Sequence, residues 1–239
     1  MLSTTCFAVK AETDLRKLIH GFDRQIHHPQ DLFKSIKVEY RNTAFEKLNK
    51  KHKDFYIELT WNDTGDYNAK LVNTSGKLAA IDTKLESIAK EKIYYVVPKK
   101  LAQIVVGYEL KKVEGNTRAI RAIDTTGQQI FHEIYLEFNE WGYLNLMISK
   151  KATGTVKQNF HYLKKDDKQV LARIELNTFE GKKMIQGEMQ FNYEKIDSAY
   201  LVSSIDSNYT HELVSNKRNK NNLKIKEKIT FKNYQLIKK

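Results

Sequence analysis

The residues best equipped for chemistry gather in one stretch, Gln129 to Ile148, where His132 sits beside Glu133 and Glu137 follows four residues on. An imidazole next to a carboxylate is a minimal general-base pair. Two carboxylates on one strand face, expected roughly 7 Å apart, can divide acid and base work. Hydrolase-type chemistry through His132 with Glu133 or Glu137 is therefore what these residue types could support. Their surroundings favour a different role. A chain with 41 Lys and Arg offers both glutamates cross-strand ion pairs, and a histidine on a strand is ordinarily a surface or core-edge residue. The other histidines add no metal set. His27 and His28 are adjacent and point different ways, His161 falls on a strand, and neither His-x-x-x-His, His-Glu-x-x-His nor Cys-x-x-Cys occurs. Gly-x-Ser-x-Gly, Walker and Gly-x-Gly-x-x-Gly loops are also missing, so the chain reads as a non-enzyme without metal or cofactor.

The element that must position this stretch is a β-hairpin. Ile130, His132, Ile134, Leu136 and Phe138 alternate with Phe131, Glu133, Tyr135 and Glu137. Asn139-Glu140-Trp141-Gly142 carries turn chemistry, and Tyr143 to Ile148 returns. One face is continuously apolar and the other mixes rings with acids. Which of the two faces a core is a two-way choice, because a one-residue slip exchanges them.

Upstream, Leu15, Leu18, Ile19, Phe22 and Ile26 recur every three or four residues and predict an amphipathic helix over Ala11 to His27, stopped by Pro29. Strands follow at 36–40, 54–60 and 67–72, with a charged, helix-compatible segment over 42–53. Leu78, Ile81, Leu85 and Ile88 predict a second helix over 76–90. From Lys92 onward no further helix is needed. Strands are expected at 93–97, 101–113, 117–124, 129–138, 143–149, 155–163, 169–178, 183–193, 198–205, 209–215 and 223–236. Short turns separate them, among them Asp206-Ser207-Asn208. Strands in quick succession pair antiparallel with their neighbours as a meander.

The fold class expected is mainly β: a curled antiparallel meander forming an incomplete barrel covered by short amphipathic helices. Its hollow would be lined by Ile134, Leu136, Phe138, Leu144 and Leu146, with Trp61 and Trp141 at the rim, where an indole suits a boundary between apolar and wet.

A formal charge of +12 makes the surface basic and suits anionic lipid, acidic proteins or nucleic acid. The strongest patch is C-terminal: Lys217, Arg218 and Lys220 in a turn, then Lys224, Lys226, Lys228 and Lys232 opposite Leu223, Ile225, Ile229 and Phe231. A solvated sheet face whose edge lysines prevent aggregation is the first reading of this pattern, and contact with an anionic membrane surface comes next, ahead of an acidic partner or nucleic acid. A nucleic-acid site would want aromatic rings interleaved with the cations, and Phe231 and Tyr234 are the only ones there. The start, Met1 to Ala11, has the small residues Val9 and Ala11 where a leader peptidase would need them, so residues 1–11 read as the remnant of a secretory leader and 12–239 as a single domain. The lone Cys6 excludes an intramolecular disulfide.

The order of elements resembles the LolA/LolB-like fold of periplasmic lipoprotein carriers and related sorting and sensor domains. The resemblance rests on a helix entering a strand (Leu15 to Tyr40), then Tyr108 to Val113, a Gly-Asn turn, Arg118 to Asp124, and the Gln129–Ile148 hairpin with Gly142 at its tip. It implies a periplasmic or secreted carrier whose half-barrel holds a lipid or the acyl chains of a lipidated protein. The alternative it allows is an interaction or envelope-sensor domain of the same fold, its hollow filled by its own side chains.

Overall fold

The computed structural model describes residues 3–48, 55–72, 79–213 and 222–239. The helices are α1 Ser3–Gln25, α2 Thr43–Leu48, α3 Ala79–Lys90, α4 Ile93–Val96 and α5 Leu101–Ile104. The strands are β1 Phe33–Asn42, β2 Tyr56–Asn62, β3 Tyr67–Val72, β4 Glu109–Val113, β5 Asn116–Ile123, β6 Glu133–Phe138, β7 Leu144–Lys151, β8 Gly154–Lys165, β9 Lys168–Glu180, β10 Lys183–Ile196, β11 Ala199–Leu213 and β12 Asn222–Lys238. The protein is mainly antiparallel β. Its strand order is β3-β2-β1-β12-β11-β10-β9-β8-β7-β6-β5-β4. From β4 to β12 each strand neighbours the next, as a meander requires, and β12 then pairs back on β1, Phe231 opposite Tyr40. The chain forms two compact units. One comprises Met1–Ile26, Lys100–Met189 and Asn208–Ile225, the other His27–Lys99, Gln190–Ser207 and Lys226–Lys239. The long strands β10, β11 and β12 contribute a part to each.

In the first unit, one stripe of α1 closes the apolar face of β4–β7. Leu15, Ile19, Phe22 and Ile26 are buried together with Leu110, Ile120, Ala122, Ile134, Leu136, Phe138 and Leu144. A helix of this composition gains most of its stability from such docking rather than from propensity. Phe22 meets Phe138 and Tyr162 edge-on, both at 6.0 Å between ring centroids, an arrangement that aligns ring edge with ring face. In the second unit Ile36, Val38 and Tyr40 of β1 and Ile57, Leu59 and Trp61 of β2 are buried on alternate positions. Phe231 of β12 stacks beside Tyr40.

Three expectations need correction. Residues 93–97 and 101–104 are not strand: α4 and α5 stand there, so helix does continue beyond Lys92. Their β-branched content suggested extended chain, yet Ile93, Val96 and Val97, and Leu101 and Val105, are buried at helical spacing. Gln103 accepts the Lys100 N–H locally at 3.0 Å, but the next two N–H groups of α5 are met from elsewhere. The Asp23 carboxylate of α1 accepts the Leu101 N–H at 2.7 Å and the Ala102 N–H at 2.9 Å, the service a local N-cap normally performs. Asp206-Ser207-Asn208 is not a turn either, since β11 runs straight through it. Asp206 is held across the ladder by Asn192 and faces Lys228, so its carboxylate is satisfied in extended chain, and Ser207 is buried. Lastly, the hairpin begins only at Glu133, which leaves Ile130 the most exposed large apolar residue among the described ones, at 82%.

Replacing Asp23 with Ala removes both α5 acceptors from a buried site. The expected loss is about 1–3 kcal/mol, read in urea denaturation, together with faster amide exchange at Leu101 and Ala102. Unchanged exchange there would refute the capping role.

Candidate functional site

The hairpin β6–β7 positions the residues singled out for both chemistry and ligand binding. Asn139 builds its turn: its side-chain oxygen accepts the N–H groups of Trp141 (3.0 Å) and Tyr143 (2.9 Å), its carbonyl accepts the Gly142 N–H, and Gly142 takes φ +82°. Ile134, Leu136 and Phe138 occupy one face of β6 with 0–2% exposure.

On the return strand a β-bulge changes the phase. Leu136 stands opposite Met147 and Glu137 opposite Leu146, but Phe138 stands opposite Leu144, so Asn145 is the extra residue. Directly opposed residues share a face. Leu144 therefore joins the buried set, while Leu146 lies with Glu137 on the other face, half-buried, and Met147 takes the inner position instead. Of the residues expected to line a hollow, four (Ile134, Leu136, Phe138 and Leu144) are brought together, packed against α1. Trp141 sits at the hairpin tip, 67% exposed. Trp61 is buried in the second unit. The sequence reading assigned Phe22 and Ile26 to a helix stripe without placing them against these four, and it missed Met147, Phe160 and Tyr162, which pack at the margin of the same cluster. Strand alternation at 156–162 was the available signal.

The opposite face holds the candidate chemistry. Glu133 Oε2 receives Arg121 Nη2 at 2.6 Å and Glu133 Oε1 receives Lys150 Nζ at 2.9 Å. Arg121 lies opposite Tyr135, Lys150 opposite Glu133. The Arg121 hydrogen bond, aided by Lys150 and opposed by partial burial, holds the Glu133 carboxyl below the usual carboxylate range. Glu137 accepts the Tyr135 hydroxyl at 2.7 Å. Four strand residues at the usual rise put Glu133 and Glu137 about 13 Å apart along β6 rather than 7 Å, beyond the reach of a single scissile bond. His132 is exposed just ahead of the strand, its backbone bonded to Lys150 and Asp124.

A second polar group lies on β8–β9, where Glu175 Oε1 is 3.0 Å from His161 Nε2 and 2.9 Å from Arg173 Nη2. Among the described residues no three His, Cys, Asp or Glu side chains converge as a metal site. Along β12, Lys224, Lys226, Lys228 and Lys232 are exposed while Ile229 and Phe231 are buried, the alternation expected; Lys217, Arg218 and Lys220 lie outside the described residues. No family model, curated protein or solved structure matches the chain.

Because Glu133 titrates lower in the folded state than in the unfolded one, its stabilisation is fully present above the ordinary value of 4.5 and is lost as pH falls through the depressed native value. Glu133→Gln is expected to cost about 1–2 kcal/mol at pH 7. The gap to the unsubstituted protein should close progressively below pH 4.5 in denaturant titrations. A gap that does not vary with pH would contradict the ion-pair account.

Proposed function

We propose that the chain is a non-enzymatic interaction module of the LolA/LolB-like kind, exported to the periplasm or beyond, whose apolar sheet face is filled by its own helix. The observation that supports this most is the burial of Ile134, Leu136, Phe138 and Leu144 under Leu15, Ile19 and Phe22. The apolar wall that would receive an acyl chain already carries side chains of α1. Recognition then belongs to the solvated surface, where exposed lysines on β12 suit acidic partners or anionic lipid. The pairing of Glu133 with two cations supports a structural role for the residues that could otherwise serve acid–base chemistry.

The carrier reading has one observation in its favour. The wall is covered by one long helix, and half-buried Leu18, Met147, Phe160 and Tyr162 border it, so displacing α1 would expose a continuous apolar surface. A dozen methylenes settling there would gain on the order of 10 kcal/mol before ordering costs, enough to offset part of the lost helix packing.

Native mass spectrometry of gently purified protein, with a fluorescent fatty-acid probe, separates the two. The self-filled module is expected to carry no lipid and to leave the probe unbound. A stoichiometric lipid that displaces the probe would replace this reading with the carrier. N-terminal sequencing of material from an envelope fraction tests export: a mature chain beginning at Glu12 is expected, and an intact start in the cytosol would count against it. For the basic face, liposome flotation is expected to require anionic lipid and to weaken between about 0.05 and 0.5 M salt, as the screening length shortens. Exchange of Lys224, Lys226, Lys228 and Lys232 for Gln should abolish it, and salt-independent flotation would rule the face out.

A further inference from the structure

Cations interleaved with aromatic rings, the combination that β12 does not provide, occur instead where β3 meets α4 in the second unit. Tyr67 opens β3 and Tyr94 lies in α4, with ring centroids 5.1 Å apart and planes at 59°. Lys90 Nζ stands 5.0 Å from the Tyr67 centroid, and Lys99 Nζ stands 4.3 Å from that of Tyr94. Each cation is thus held against a ring face. Such contacts order a long, otherwise mobile side chain before any ligand arrives, so less rotamer freedom remains to be lost on binding. An ammonium has three N–H donors, and a ring face leaves others free to point outward.

The two phenols complete the arrangement. The Tyr94 hydroxyl is hydrogen-bonded to Tyr67, and burial first, then Tyr67 and the nearby Glu91, push its pKa up. It is therefore a neutral O–H donor at physiological pH. When it donates to Tyr67, the proton of the Tyr67 hydroxyl is not used within the pair. Among the described residues no carboxylate is ion-paired with Lys90 or Lys99. Glu86, on α3, is engaged by the backbone N–H of Leu71 at 2.7 Å. Between Lys90 and Lys99 the sequence carries three lysines and one glutamate, Glu91. Positive charge is thus in excess and hydroxyl donors stand beside it.

We propose that Tyr67, Tyr94, Lys90 and Lys99 form a binding site for a phosphate monoester. This group carries a charge of about −1.5 to −2 and three acceptor oxygens, which matches two ammoniums and a phenol donor better than a singly charged carboxylate with two oxygens does. Charge-assisted hydrogen bonds of this kind are roughly twice as strong as neutral ones. A soluble phosphate ester and a phosphatidic acid headgroup present the same chemistry, so the site recognises the group and the experiment assigns its source.

Isothermal titration of the full chain with inorganic phosphate is expected to be saturable. Lys90→Gln with Lys99→Gln should weaken it about tenfold or more, and Tyr67→Phe with Tyr94→Phe, which keeps both rings, about threefold to tenfold. Lys157→Gln, an exposed lysine of β8 in the other unit, should leave it unchanged. Melting temperatures of all variants report whether each remains folded. Flotation with phosphatidylcholine vesicles containing either phosphatidic acid or phosphatidylglycerol then locates the source. Preference for phosphatidic acid, competed by inorganic phosphate, assigns a lipid headgroup; saturable phosphate binding without that preference assigns a soluble ester. The proposal is overturned if the unsubstituted protein binds neither probe, or if Lys157→Gln weakens binding as much as the Lys90 and Lys99 pair. Loss of both tyrosine hydroxyls without effect would also overturn it.

Discussion

An apolar sheet face must be removed from water, and in the unit built around β4–β9 the burial of that face by α1 is the constraint on which the other features depend. The helix stripe and the strand alternation are two periodicities, 3.6 and 2, that meet along one line of contact. Once Phe22 is set against Phe138 and Tyr162, Asp23 is carried to the first turn of α5 and Ile26 to a bridge with Gln169. The end of α1 is finished the same way, with Lys168 Nζ donating to the Arg24 carbonyl at 2.7 Å, where a cation also meets the negative end of the helix dipole. One docking event thereby organises a helix start, a helix end and a strand margin.

The bulge in the β6–β7 pair shows how a single residue redistributes chemistry between faces. Without it, Leu144 and Leu146 would point the same way. With it, Leu144 enters the core and Leu146 joins Glu137 outside. Glu133 owes its ion pairs to the register of three strands, since Arg121 comes from β5 and Lys150 from β7. A carboxylate saturated this way is held ionised and oriented, which suits a structural clamp on the sheet more than proton transfer at neutral pH.

The two units place their polar resources differently. The first spends its charges on one another: Glu133 with Arg121 and Lys150, Glu175 with Arg173 and His161, Glu180 with Lys151. In the second, lysines also lie against rings: Lys90 on Tyr67, Lys92 on Tyr95, Lys99 on Tyr94 and Lys195 on Tyr200. A ring face does not neutralise the cation lying on it, so Lys90 and Lys99 keep their positive charge where they rest on Tyr67 and Tyr94. This difference gives the net charge of +12 a local meaning that composition cannot express.

What the amino-acid sequence determined by itself is whatever depends on near neighbours. The α1 stripe, the Asn139–Gly142 turn, the alternation of β6 and the lysine face of β12 all follow from spacing within a dozen residues, and all are present. Tertiary structure decided the rest. The helical turn at 101–104 read as strand because the carboxylate that meets its first N–H groups, Asp23, arrives from 78 residues away, and the one at 93–96 because its β-branched residues, Ile93 and Val96, are buried at helical spacing only in the folded chain. The segment 206–208 read as a turn because the partners that satisfy Asp206 in extended chain, Asn192 and Lys228, lie on other strands. Leu146 was assigned to the wrong face because a bulge is a property of a strand pair, not of one strand. The cations on Tyr67 and Tyr94 had no signature along the chain, since β3, α3 and α4 must first be brought together. Local periodicity reports which face of an element is apolar; only folding selects the groups that face it.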